Sequence, residues 1–452
     1  MIIPDNIKYV LEKLNNHNYE SYIVGGCVRD NLLNKTPYDY DITTNALPDE
    51  IKKVFSDCKI INNNGEKHGT ITVRYNHENI EITTFRYDGN YLDHRHPDEV
   101  RFTTNLRDDL ERRDFTINAM ASDINGKVFD YFGGVSDLEN KIVRAVGDPH
   151  KRFTEDALRI LRALRFSSVL GFEIEESTLA AMYDLRDTLS YVSKERIKIE
   201  LDKMICGISF TKLMRNTKVR EIFAAIIPDI RPSFDFDQKS KYHPNDLYTH
   251  TLNVIERVEN NHILKLSALF HDLGKTKCYQ IDNRDGREIY HFIGHELVSK
   301  EIALKNLKNL KYSNDEIEKI SFLVEYHDYK FSDKLKSMRK FMAKMPIHDM
   351  DLLIDYLISL KFADSSDHNN VDIFDFNIIR TNYYKIKNDK DECYSIKQLK
   401  LNGNDLMKLG FSGKLIGEIL NNLLDEVING RLKNDRSTLI NYINNNYQRG
   451  EN

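Results

Sequence analysis

Residues 22–41, YIVGGCVRDNLLNKTPYDYD, set a short apolar run, a Gly-Gly pair and a helix-like stretch ahead of two aspartates spaced two apart. That order limits the folds open to the chain. Tyr22-Ile23-Val24 predicts a short strand stopped at Gly25-Gly26, and VRDNLLNK predicts the helix that follows. Glycines at a strand-to-helix turn let backbone approach a bulky anion closely, with helix N-terminal N–H groups and the Arg29 guanidinium as donors. Gly26 and Arg29 are therefore candidates for binding a nucleotide triphosphate. The competing reading is an ordinary turn with Arg29 paired to Asp30. Further on, YDYDITT (38–44) alternates like a strand edge, which would place Asp39 and Asp41 on one face, able to hold one or two Mg2+ ions.

The neighbouring segments fit a small α+β domain over residues 1–145. Residues 1–20 predict a helix with Ile7, Val10, Leu11 and Leu14 on its apolar face. GTITVRYNHENIEITTFR predicts a hairpin turning at Asn76-His77-Glu78-Asn79, with Glu81 a candidate third carboxylate on its second strand. Arg112-Arg113-Asp114 is expected to precede an apolar helix capped by Asp114 or Thr116, with Arg113 a phosphate contact. Beyond residue 145 the pattern turns helical: a neck over 146–235, a histidine-bearing unit over 236–375 and a tail over 376–452. A Pro- and Asp-rich break at 228–244 separates the first two.

Composition narrows the class without naming it. Hydrophobic residues make up 40% and charged residues 30%, with a net charge of −5. No apolar run approaches the roughly 20 residues of a membrane helix, and MIIPDNIKYV has no signal-peptide pattern. The five cysteines include no CxxC pair, as expected of reduced thiols in the cytoplasm. The overall acidity hides a local excess: residues 141–165 carry seven Lys/Arg against three Asp/Glu, enough to hold a phosphate chain.

That basic stretch contains EDALRILRALRF. Read as one helix with Thr154 as N-cap, it spreads Asp156, Arg159 and Arg162 over about 120° at 100° per residue. A carboxylate beside a guanidinium offers an acceptor next to donors. Cytosine and adenine each present an amino donor beside a ring-nitrogen acceptor; uracil and guanine present the reverse. A buried Asp/Arg pair would accept the first two bases and reject the others at roughly 1–3 kcal/mol per unsatisfied group. The competing reading is a helix-surface ion pair between Glu155 and Arg159.

IVGGCVRD, DYDITT, EITTFR, RRDFTINA and EDALRILRALRF, in that order over residues 20–190, resemble the bacterial, class II type of CCA-adding enzyme and its sister poly(A) polymerases. The resemblance implies a polymerase-beta-like nucleotidyltransferase head, with catalytic metal at Asp39 and Asp41 and nucleotide contacts at Gly26, Arg29 and Arg113. It implies a base-selecting role for Asp156 and Arg159, with Arg162 and Arg165 also on the nucleotide. Its expected substrates are tRNA, CTP and ATP. Residues 86–97, RYDGNYLDHRHP, resemble the loop associated with adding the final A, and NGNDLMKLGFSGKLIGEILNNLL resembles the tRNA-gripping tail. A poly(A) polymerase or A-adding enzyme is the alternative within the same superfamily.

A second constellation resembles an HD phosphohydrolase domain: His250, His271-Asp272, His295, His327-Asp328 and Asp364. Imidazoles and carboxylates converging from separate helices can hold a divalent transition metal, and His250, His271, Asp272 and Asp364 are the expected ligands. The more distant functional alternative follows from it: a metal-dependent phosphohydrolase whose N-terminal half serves to bind RNA. No protein partner can be inferred from the sequence.

Overall fold

The computed structural model describes residues 3–61, 65–88, 100–240, 244–284, 287–345, 349–366 and 374–447. The chain forms two compact units, one of Met1–Arg231 with Asn309–Lys311 and one of Pro232–Lys308 with Tyr312–Asn452.

The first unit is built on a seven-stranded sheet of order β3-β4-β5-β2-β1-β8-β9. Its strands are β1 (Ser21–Val24), β2 (Asp41–Thr44), β3 (Lys59–Ile61), β4 (Thr70–Tyr75), β5 (Glu78–Thr84), β8 (Met120–Ser122) and β9 (Val128–Asp130); β6 (Arg86–Asp88) and β7 (Val100–Phe102) pair separately. One face is packed by α1 (Asp5–Asn16) and α3 (Pro48–Val54), whose Ile7, Leu11, Leu14 and Ile51 meet Ile23, Ile42 and Ile82 of the sheet. Each such side chain, fully withdrawn from water, stabilises the fold by about 1.5–3 kcal/mol. On the other face α4 (Leu106–Glu111) supplies only Leu106 and Leu110 against Val24, Phe85 and Ala121, leaving part of that face open. α2 (Gly26–Leu32) follows β1, and α5 (Gly134–Glu139) closes the head.

The neck carries α6 (Pro149–Glu155), α7 (Leu158–Leu170), α8 (Glu176–Asp184) and α9 (Lys194–Ile205). α7 stops at Gly171, whose φ of +75° provides the left-handed C-terminal turn that residues with a Cβ adopt at a cost. In the second unit the helices Leu247–Arg257, His262–Phe270, Asn314–Tyr326 and Met350–Ser365 pack on one another. The tail helices Gly403–Lys408, Lys414–Ile428 and Arg436–Asn446 share a core that includes Leu406, Ile419, Leu423 and Leu439.

Five local expectations are corrected. Asp39 is not on a strand: β2 begins at Asp41, whose ladder partner Val24 is the last residue of β1 before the chain turns away at Gly25. The segment from Thr154 is not one helix. α6 ends at Glu155, Asp156 is extended (φ −140°, ψ 105°), and its Oδ1 accepts the Leu158 N–H at 3.0 Å to start α7. RRDFTINAM leads through a single 3-10 turn, Thr116–Asn118, into β8 instead of an apolar helix. The β4–β5 turn is only Asn76-His77, both at positive φ. The region beyond residue 145 is not wholly helical, because Glu173–Ile174 pairs in parallel with Ile142–Val143 and Gln280–Arg284 forms a hairpin with Arg287–His291. Of the loop-like segment 86–97, residues 89–97 lie outside the described residues.

Candidate active site

Strand register brings the turn and the carboxylates together. Asp41 pairs with Val24 on one side and Glu81 of β5 on the other, so one row across the open face runs from the residue before Gly25 to two acidic side chains. Asp39 sits two residues upstream in the approach to β2, and all three carboxylates are exposed. Although the Asp41 side chain reaches solvent, the surrounding protein raises its carboxyl above the usual value. The nearby Arg113 pulls the other way, and repulsion from Asp39 and Glu81 adds to the rise. Carboxylates that repel one another in this way are relieved by a divalent cation, so the residues present suit a metal ion. They are not a closed cage: among the described residues, no trio of ligand atoms there lies within 4.8 Å of one another.

The conformational demand of the turn falls on Gly25, where φ is +79° and ψ is −131°. A Cβ there would also come within 3.1 Å of an Arg113 guanidinium nitrogen. Gly26 opens α2 with ordinary helical geometry. Arg113 is anchored by Asp109, which is buried and accepts its NH2 at 3.2 Å while also holding Arg112 at 2.8 Å. Burial works against the Asp109 charge, but Arg112 and Arg113 keep its carboxyl below the ordinary range.

Behind the turn lies a polar network that ties the head to α7. Asp114 is nearly fully buried and accepts from Phe115 N at 2.8 Å, Asn118 Nδ2 at 3.1 Å and Arg162 Nε at 2.7 Å. Burial would push its carboxyl upward; the Arg162 charge and these hydrogen bonds bring it down to about 2. Asn118 Oδ1 in turn accepts from Arg29 at 2.6 Å. Arg29 also pairs with Asp30 at 2.8 Å, so that alternative pairing does occur. The guanidiniums of Arg29, Arg162 and Arg165 stand 5.1, 5.4 and 4.1 Å from the Phe166 ring, and Arg165 lies 3.1 Å from Glu200.

Asp156 and Arg159 are not paired with each other. Asp156 Oδ2 accepts from Arg196 at 3.0 Å, and Arg159 donates to Glu155 at 2.8 Å and to the carbonyls of Arg152 and Arg112. Glu155–Arg159 is thus the i,i+4 pair the sequence allowed. Both side chains retain capacity: a carboxylate accepts about four bonds and a guanidinium donates five. Asp109 and Asn118 were missed as functional residues. Asp109 lies four residues before Arg113 at helical spacing, and Asn118 lies inside RRDFTINA, so both carried a local signal.

The second unit brings His250, His271, Asp272 and Asp364 together with their ligand atoms within 4.8 Å. His250 Nε2 lies 3.1 Å from Asp364 and 3.4 Å from Asp272, and His271 Nε2 lies 3.3 Å from Asp272. Asp272 is held well below the usual carboxylate range: burial opposes its charge, but Lys275 and the imidazoles outweigh burial. Asp328 belongs to no such group among the described residues.

A seven-stranded sheet with a glycine turn set beside an acidic row defines a nucleotidyltransferase head, and family profiles agree. Residues 21–144 match the poly A polymerase head domain, 171–233 the "Probable RNA and SrmB- binding site of polymerase A", and 288–443 tRNA nucleotidyltransferase domain 2. The CCA-adding enzyme of Staphylococcus haemolyticus is 33% identical over 443 residues, covering 97% of each chain. The chain belongs to the CCA-adding enzyme family. Higher identity is confined to a part: the Staphylococcus saprophyticus enzyme is 50% identical over 214 residues, 47% of this chain and 53% of that relative. The chain spans about half the length of the first curated relatives it matches. In fold it resembles the Bacillus stearothermophilus CCA-adding enzyme solved in complex with CTP, with a TM-score of 0.68 at 23% identity over 98% of both chains. No described helix is long and apolar enough to cross a membrane.

Proposed function

We propose that the chain adds C, C and A to tRNA 3′ ends from CTP and ATP without a nucleic-acid template. The observation that carries this reading is the in-register row Val24–Asp41–Glu81, which sets paired carboxylates directly beside the glycine turn and Arg113. Asp39 and Asp41 hold Mg2+, with Glu81 beside them. In two-metal nucleotidyl transfer these carboxylates would hold a pair of divalent ions, one of which would lower the pKa of the attacking 3′-hydroxyl and the other neutralise the leaving pyrophosphate. Gly26, Arg29 and Arg113 receive the triphosphate, while Arg162 and Arg165, gathered on Phe166, contact the nucleotide. Asp156, freed from the helix by the break at 156–157, and Arg159 present the acceptor and donors that fit the edges of C and A. The name of the family and the CTP complex of the Bacillus stearothermophilus enzyme support this substrate set.

The test is base selection. Purified protein supplied with tRNA lacking CCA should incorporate C and A. Arg159→Ala should narrow the preference for C and A over U and G by roughly 10- to 100-fold, the equivalent of 1–3 kcal/mol. Failure of the wild type to incorporate either base would overturn the proposal.

In the second unit His250, His271, Asp272 and Asp364 are read as ligands of one divalent transition-metal ion, because imidazole nitrogens mixed with carboxylates suit such ions.

A further inference from the structure

The Asp156 carboxylate is held from two different helices. Oδ1 accepts the Leu158 N–H at 3.0 Å, and Oδ2 accepts from the Arg196 guanidinium, also at 3.0 Å. The first bond is local and starts α7. The second comes from α9, 40 residues further along the chain. Among the described residues, Asp156 is the one group that the Arg196 side chain bonds or pairs with. The Arg196 and Asp156 side chains are 27% and 18% exposed, so the pair is mostly covered but still reachable from outside.

Nothing in α9 itself favours a cation at this position. The helix begins at Lys194, so Arg196 sits in its first turn, and the N-terminal end of a helix dipole disfavours positive charge. What the position does is reach Asp156. α9 is seated against α7 without help from this pair: Ile197, Leu201 and Met204 are buried, and Ser168 Oγ donates to the Met204 carbonyl at 2.7 Å. A Cβ on Gly207 would come within 2.6 Å of the Ser168 backbone, so the two helices meet closely at that end. Four residues beyond Arg196, on the same face of α9, Glu200 lies 3.1 Å from Arg165. A carboxylate with one hydrogen bond can pivot about it. Donors on both oxygens fix its plane, and of roughly four acceptor sites about two remain for an incoming amino group. A base that covers the carboxylate also strips water from it, and a guanidinium that never loses its proton offsets that loss.

We infer that Arg196 is a positioning residue for base selection, fixing the Asp156 carboxylate so that an acceptor stays aimed where cytosine and adenine carry an amino group and uracil and guanine a carbonyl. Arg196 has this role only if Asp156 reads the base as proposed above; it is the residue that aims Asp156. It touches neither the triphosphate nor the 3′-hydroxyl, so its removal acts on nucleotide binding and choice. Base-edge bonds form in the bound ground state and persist in the transition state, so weakening them raises KM with little change in kcat. An acceptor free to swing away also stops rejecting a carbonyl, which lowers discrimination against uracil.

The experiment uses the full chain, Mg2+ and a tRNA transcript ending at the discriminator base, with kcat and KM measured for CTP and for UTP in the first addition. Arg196→Ala is expected to raise the KM for CTP about tenfold, to change kcat by less than about threefold, and to lower the preference for CTP over UTP about tenfold. Arg196→Lys can still donate to Oδ2 and should recover much of the loss. Asp156→Asn keeps an oxygen for the Leu158 N–H but turns an amide donor toward the base, so it should remove the preference. Adding Arg196→Ala to Asp156→Asn should raise the KM for CTP no further, because Arg196 acts through Asp156. Should Arg196→Ala fold poorly, Arg196→Met, of similar bulk and without a donor, gives the same comparison. A lower melting temperature and active fraction with KM and base preference unchanged would make Arg196 merely structural and overturn the inference, as would additive KM effects in the double variant. Preference intact in Asp156→Asn would overturn the reading of Asp156 itself. Preference lost in Asp156→Asn but intact in Arg196→Ala would overturn the role of Arg196 alone.

Discussion

Asp41→Asn is expected to cut nucleotide addition by at least about 1,000-fold while leaving the melting temperature unchanged or slightly higher. The loss follows from the role given to Asp41: metal stabilisation of charge in phosphoryl transfer contributes several kcal/mol, and each 1.36 kcal/mol is tenfold in rate. The retained stability follows from the electrostatics. In the folded protein the Asp41 carboxyl sits above its ordinary value through desolvation and the repulsion of Asp39 and Glu81, partly countered by Arg113. A carboxyl raised by folding is less comfortable charged in the native state than in the unfolded one, so at neutral pH its charge opposes folding. Removing the charge relieves that opposition. A combined loss of activity and of melting temperature would instead make Asp41 a structural residue and remove the central support for the head as the catalytic unit.

Asp114→Ala should do the reverse, damaging the fold first. It leaves the Arg162 guanidinium, the Phe115 N–H and the Asn118 amide without their shared acceptor, and breaking a buried pair from one side costs about 3–5 kcal/mol. The pH dependence carries the same signature. The Asp114 carboxyl is held down to about 2 against an ordinary 3.8, so its contribution is fully present above about pH 4 and lost as pH falls through 2. That shift corresponds to on the order of 2 kcal/mol. Asp114→Asn should therefore flatten the acid limb of the stability curve between pH 4 and 2, measured by denaturant unfolding at each pH. An unchanged limb would show that the Arg162 pair does not hold the charged form.

Much of the head was legible because its signals are local. Strand β1 stops where Gly25 must adopt positive φ, and the alternation of ITV and IEI sets the facing strands β4 and β5. What spacing alone hid was where a ladder or a helix loses its partner. Asp39 looks like a strand residue by alternation, but β1 has turned away before it could pair. Asp156 looks helical by periodicity, but a carboxylate that caps the Leu158 N–H competes with the helical backbone and breaks the run. The hairpin at 280–291 has few inward apolar positions to mark it, with Ile281 largely exposed. In the second unit, HDLGK and the scattered histidines pointed to a metal. That Asp272 faces two ligand groups depends on helices brought together by the fold, which no sequence spacing records.

The measurement that tests the central claim most directly is the product ladder from a tRNA transcript ending at the discriminator base, incubated with purified protein, Mg2+ and CTP, ATP or both. The account predicts that CTP alone yields two added residues, that ATP alone leaves the transcript unextended, and that both together yield three and then stop. A ladder that runs on with ATP alone and ignores CTP would contradict it and make the chain a poly(A) polymerase or A-adding enzyme.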